Sequence, residues 1–86
     1  MTIYRHSWTK DTLTLGAYSS PGLESKAGDF STLISPSPGE DDPRLLLAGE
    51  HTHPQYWSFL HGARMSGVQQ ANRIMKHRNT IVKNLN

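Results

Sequence analysis

The sequence predicts an α+β arrangement in which short strands and loops lead to one further strand and a long C-terminal helix. Three patterns carry that expectation: alternating side chains over residues 2–8, an apolar run over residues 44–50, and apolar residues at three- and four-residue spacing from Leu60 onward.

Taken in order, Ile3, Arg5 and Ser7 alternate with Tyr4, His6 and Trp8, and the β-branched and aromatic members favour a short strand. Residues 11–22 are turn-rich and read as loop, with an extended piece near Tyr18. Phe30, Leu33 and Ile34 give a helical turn over residues 28–34, which Pro36 and Pro38 end. Residues 35–43 are Pro, Ser, Gly and acid, the composition of a surface loop. Arg44 to Glu50 contains three consecutive leucines, then Ala48 and Gly49; a strand buried on both faces shows such a run.

From Ser58, the residues Leu60, Ala63, Gly67, Ala71 and Ile74 form a helical stripe widened by Val68 and Met75, which predicts one helix from Leu60 to about His77. Gly62, Ala63, Gly67 and Ala71 keep one face narrow, so a sheet or a cofactor can come close. Gly62 and Gly67 each cost roughly 1 kcal/mol against Ala in a helix, which suggests that close approach is used, although plain packing accounts equally well for Gly67. Arg73, Lys76 and Arg78 are expected at the helix C-terminus, where cations meet the negative end of the dipole.

At 86 residues, with 35% hydrophobic content and five prolines, the chain makes at most one small domain and has little material for a core. Residues 1–50 carry four Lys/Arg and seven Asp/Glu, residues 51–86 five Lys/Arg and no acid. Such asymmetry can attract an anionic partner, but no aromatic residues are interleaved with these cations to stack bases, so nucleic acid is not an expected partner. The absence of cysteine excludes disulfides and thiolate metal sites. No stretch has the roughly 20 apolar residues of a membrane span. Met1-Thr2-Ile3-Tyr4-Arg5 lacks a signal-peptide core, and Lys83-Asn84-Leu85-Asn86 is not a Ser-Lys-Leu address. The default expectation is an intracellular, cytoplasmic protein, with peroxisomal and nuclear locations left open.

Glu50, at the end of the expected strand, lies where open α/β sheets bind ligands, and it could accept hydrogen bonds from sugar or ribityl hydroxyls. The helix start near Leu60 presents unpaired N–H groups and positive partial charge to an anion. An ordinary solvated Glu explains the spacing as well.

Gly49-Glu50 followed by His61-Gly62-Ala63, together with Trp8 and Gly16-Ala17-Tyr18-Ser19, resembles the C-terminal end of the flavin-dependent amine oxidases, nearest in pattern to the polyamine oxidases. That family also holds monoamine oxidases and lysine-specific histone demethylases. The matching blocks run from Trp8 to about Arg73. The resemblance implies a single partial domain belonging to the FAD-binding α/β domain of a larger two-domain oxidase. Residues 1–34 would sit at the junction with the substrate domain, 35–43 in a surface loop, 44–80 in a strand-loop-helix of the FAD-binding domain, and 81–86 in a tail.

The resemblance further implies that Gly49 and Glu50 contact the ribityl and phosphate region of FAD, that Leu60, beside Phe59, supplies a backbone N–H to the isoalloxazine edge, and that Tyr18 and Phe59 wall the amine. Aromatic faces suit a cationic amine through their quadrupole. Ala17 stands where monoamine oxidases carry the flavin-linking Cys, so FAD would be held non-covalently. Phe59-Leu60 replaces the small or β-branched pair of most relatives, and Leu13 replaces a ring, so the pocket differs in shape. The implied reaction oxidises a polyamine-type amine to an imine and reduces oxygen to hydrogen peroxide. The family's Gly-rich dinucleotide-binding unit and its lysine near the flavin lie upstream and are not among these residues. The rest of an oxidase polypeptide is therefore an expected partner, and the chain alone is expected neither to bind FAD tightly nor to turn over substrate.

His51, His53 and His61 invite a zinc site, but no carboxylate or fourth His completes a known spacing. Ser58 or Ser66 with His61 lacks a nucleophile-elbow pattern. A non-enzymatic interaction fragment, using the small-residue helix face, and a demethylase-like oxidase remain the alternatives.

Overall fold

The computed structural model describes residues 1–86. Its elements are a short helix α1 (Asp29–Ile34), a single 3-10 turn (Glu50–Thr52) and a long helix α2 (Leu60–Asn84). There is no strand, so the α+β expectation is corrected: the chain is two helices joined by irregular backbone, with one isolated antiparallel bridge between Ser37 and Leu45.

The physical reason is the lack of pairing partners. Residues 2–8 are exposed along their whole length and donate to no neighbouring strand. In residues 44–50 only Arg44 and Leu45 pair, with Ser37, while Leu45 and Leu47 stay exposed. A strand covered on both faces requires flanking layers that this chain does not supply.

The helices follow the sequence more closely. α1 begins with Asp29 in its first turn, where the carboxylate suits the dipole, and ends before Pro36. α2 starts at Leu60 as expected but runs to Asn84 rather than His77, because neither Gly nor Pro occurs after Gly67 to stop it. Only Lys83 occupies its last turn, so Arg73, Lys76 and Arg78 are mid-helix residues and not end caps.

The buried face of α2 is also not the apolar stripe. Gly62, Ser66 and Gln70 are buried, whereas Leu60, Val68, Ile74 and Met75 are exposed. These buried residues, spaced by four, share one face, from which Ser66 and Gln70 hold the irregular backbone of residues 34–49 by hydrogen bonds. Ser66 Oγ accepts from the Gly49 N–H at 2.9 Å and lies 2.7 Å from the Ala63 carbonyl. Gln70 Nε2 donates to the Leu47 carbonyl at 2.7 Å. One turn on, Arg73 donates to the Ile34 carbonyl and pairs with Glu40 at 3.2 Å. Polar side chains of α2 thus satisfy carbonyls that a sheet would otherwise have paired.

No hydrophobic residue is fully buried. The accessible surface is 7523 Å², against roughly 5,100 Å² expected for a compact monomer of this mass. The radius of gyration is 17.3 Å, against about 12 Å for a compact domain of this length.

Candidate functional site

Glu50 is the centre of the site. Its Oε1 accepts from the Ser19 backbone N–H at 3.0 Å, and its Oε2 accepts from Ser19 Oγ at 2.7 Å and from the Ser58 N–H at 2.6 Å. The Ser58 hydroxyl closes the ring by donating to the Ser19 carbonyl at 2.7 Å. Two segments, one 31 and one 8 residues away in sequence, are thereby fastened to one carboxylate. The Ser19 hydroxyl above all, with partial burial opposing and the Ser58 and Ser19 amides and His51 assisting, holds the Glu50 carboxyl below its ordinary value.

Gly49 places that carboxylate. Its φ of 148° with ψ of 171° is backbone that only glycine adopts readily. Its carbonyl accepts from Thr52 Oγ1 at 2.8 Å, which starts the 3-10 turn and aims Glu50 toward Ser19 and Ser58. The acid therefore sits at the head of a turn and not at the end of a strand.

Ser58 has φ of 69°, the left-handed region, and turns the chain into α2. Phe59 caps the helix without a side-chain bond, and the backbone N–H groups of Leu60, His61 and Gly62 have no acceptor within the chain. Gly62 permits the turn to close: a Cβ there would lie 1.9 Å from the Tyr56 carbonyl oxygen. The close approach expected of both helix glycines is made by Gly62 alone, since a Cβ on Gly67 meets nothing within 4 Å.

The residues expected to wall the amine adjoin this clamp. Tyr18 precedes Ser19 and is 71% exposed; Phe59 follows Ser58 and is 58% exposed. Leu60 is 92% exposed, so its contribution is its backbone. Trp8 meets His6 edge to face at 4.4 Å and stands apart from the clamp's hydrogen bonds. Beside Ser19 and His51, an open cleft of about 310 Å³ is walled by Phe30, Leu33 and Trp57. It includes none of Tyr18, Phe59 or Leu60.

No three His, Asp or Glu side chains gather as metal ligands. His53 accepts from the Tyr56 N–H, and His61 lies against Tyr56 and Phe59. The Ser58 and Ser66 hydroxyls bond to backbone groups and to no histidine. No helix is long and apolar enough to cross a membrane.

The donor set suits part of a flavin site. Three free amides at a helix start favour an anionic ring edge, and the Glu50 carboxylate, with three of its roughly four lone-pair sites taken, keeps acceptor capacity for one hydroxyl. No pattern in the sequence marks Ser19 and Ser58 as partners of Glu50. The spacing Gly62, Ser66, Gln70, small and polar residues on one face, was the available signal for the docked side of α2.

The family model for flavin containing amine oxidoreductase matches residues 2–75. Polyamine oxidase 1 of Oryza sativa subsp. japonica is 39% identical over 84 residues, covering 87% of this chain and 16% of that protein. The human peroxisomal N(1)-acetyl-spermine/spermidine oxidase is 34% identical over 86% of this chain and 15% of its own length. A possible lysine-specific histone demethylase 1 of Drosophila melanogaster is 38% identical over 78% of this chain and 8% of its own. The chain thus spans about a sixth or less of these relatives. No solved structure matches it significantly.

Proposed function

Because the chain belongs to the flavin-containing amine oxidoreductases, matched over residues 2–75, we propose that it forms one side of the flavin and amine site of an FAD-dependent oxidase acting on polyamines. The observation that carries this is the Glu50 clamp, which joins the Tyr18-Ser19 loop to the Ser58-Leu60 helix start. Both segments bear residues that the family resemblance puts against flavin and amine, and the clamp makes them neighbours.

The chemistry supplied by bound FAD is two-electron oxidation of an amine to an imine, with oxygen reduced to hydrogen peroxide. This chain's share is orientation and electrostatics. The amides of Leu60, His61 and Gly62 would hold the electron-rich edge of the ring, because the helix dipole favours negative charge there. Glu50, through its remaining lone-pair site, and Gly49, through the close approach its missing side chain allows, would hold the ribityl and phosphate region. The rings of Tyr18 and Phe59 would border the amine. Ala17 offers no thiol, so FAD is held without a covalent bond and leaves on denaturation.

Polyamines are favoured as substrates by the names of the rice and human relatives. The Drosophila relative supports a second reading, a demethylase-like oxidase acting on lysine side chains.

The test replaces the corresponding segment of the rice polyamine oxidase by this chain. The hybrid is expected to retain FAD, to release it on acid precipitation, and to produce peroxide with spermine. A folded hybrid without flavin would overturn the reading, and one active only on methylated lysine peptides would favour the second. The 86-residue chain by itself is expected to purify colourless and to give no peroxide.

A further inference from the structure

We propose that Ser19 and Ser58 are positioning residues that set the two aromatic walls, Tyr18 and Phe59, through a shared carboxylate. The inference rests on the amine-oxidase reading for the identity of what is positioned. It rests on the geometry alone for the device.

Tyr18 and Phe59 are held by little else. Both are mostly exposed, and the one ring against Phe59 is His61, at 5.3 Å and on the same helix start. Their placement is therefore decided by backbone at the adjoining residues, which is where the clamp acts. Ser19 commits its N–H and hydroxyl to Glu50 and its carbonyl to Ser58; Ser58 commits its N–H to Glu50 and its hydroxyl to Ser19. Four bonds among three residues leave neither serine free to turn about its backbone without breaking at least one.

Ser58 adds a second, independent observation. A non-glycine residue with φ of 69° is held in a sparsely populated conformation, and here the bonds from its own N–H and hydroxyl hold it. That conformation sends the chain from the loop into α2 and directs Phe59. Serine is used at 58 because it supplies the hydroxyl that glycine lacks, although glycine would suit the backbone better.

Each serine has a distinct signature. Deleting the Ser19 hydroxyl removes the main group that stabilises ionised Glu50, whereas deleting the Ser58 hydroxyl leaves the carboxylate's three bonds in place and frees only the link between the loops. Ser58→Gly is preferred to Ser58→Ala, because it removes the hydroxyl while relieving the backbone, so a loss of function cannot be ascribed to misfolding at a strained site.

The experiment has two arms. In the isotopically labelled chain, the Glu50 side-chain carboxyl is followed by NMR against pH. Its midpoint is expected below that of an ordinary glutamate, with the Ser19 and Ser58 amide shifts moving in step. Ser19→Ala should raise the midpoint, Ser19→Thr should restore it, and Thr80→Ala, far along α2, should leave it unchanged. An ordinary midpoint unaffected by Ser19→Ala overturns the clamp. In the FAD-loaded hybrid oxidase, Ser58→Gly is expected to raise the KM for spermine about tenfold while FAD content stays at one per chain. An unchanged KM in this variant, when the Glu50 midpoint of the unsubstituted chain is low as stated, overturns the positioning role. A hybrid that never takes up FAD while the Glu50 titration behaves as stated overturns the oxidase reading and with it the amine-wall role, so the two failures are distinguishable.

Discussion

Substituting alanine at Gly62 and at Gly67 should shift stability in opposite directions. The two positions lie in the same helix and carry the same intrinsic preference, about 1 kcal/mol in favour of Ala. At Gly67 the new methyl meets nothing within 4 Å, so that preference is realised almost in full. At Gly62 the methyl would lie 1.9 Å from the Tyr56 carbonyl oxygen and 2.8 Å from its carbon. Both are backbone atoms and cannot swing aside, so the loop before α2 must move by more than an ångström, disturbing the Phe59 N–H bond to Tyr56. Overpacking of this kind costs about 1–3 kcal/mol and sometimes more, which outweighs the gain in helix propensity. Amide hydrogen exchange is the suitable assay, because it reports local opening without requiring two-state unfolding. Gly67→Ala should slow exchange within α2 about fivefold, as 1.4 kcal/mol corresponds to tenfold. Gly62→Ala should speed exchange of the Gly49 and Phe59 amides by roughly tenfold or more. Equal effects of the two substitutions, or a stabilising Gly62→Ala, would refute the close approach.

Three further outcomes follow from the site. Glu50→Gln should weaken the clamp by about 2 kcal/mol, because hydrogen bonds to a charged acceptor are each worth roughly 1.5–3 kcal/mol and an amide presents one oxygen to three donors; faster exchange at the Ser19 and Ser58 amides would show it. Since the Glu50 carboxyl titrates below its ordinary value when folded, its contribution is fully present above the ordinary glutamate range and is lost as pH falls through the lowered value; an NMR acid titration in which loop and helix separate only above that range would contradict this. Ser66→Ala should cost about 1–3 kcal/mol by stranding the Gly49 N–H, seen as faster exchange at Gly49 with little change at Thr80.

The features legible in the sequence were those decided locally. Phe30, Leu33 and Ile34 with Pro36 located α1, and the apolar period together with Gly62-Ala63 located the start of α2. The irregular backbone over residues 44–50 was not legible as what it is, since Leu45-Leu46-Leu47 satisfies a buried-strand pattern whether or not the covering layers are in the same chain. The docked face of α2 was misassigned for a related reason: Leu60, Val68 and Ile74 have the stronger hydrophobic signal, but this chain folds back onto Gly62, Ser66 and Gln70. Of the site, Glu50 and the free amides near Leu60 could be named from the motif. Their connection through Ser19 and Ser58 could not, because serines 31 and 8 residues from Glu50 carry no periodic signal.

The polar docking of α2 has a calorimetric consequence. Heat capacity rises on unfolding mainly as apolar surface meets water and falls as polar groups do. A joint made of Ser66, Gln70 and Arg73 against carbonyls, with no hydrophobic residue fully buried, therefore releases little heat capacity when it opens. Its stability should vary almost linearly with temperature, and cold should not loosen it as it does an oil-filled interior.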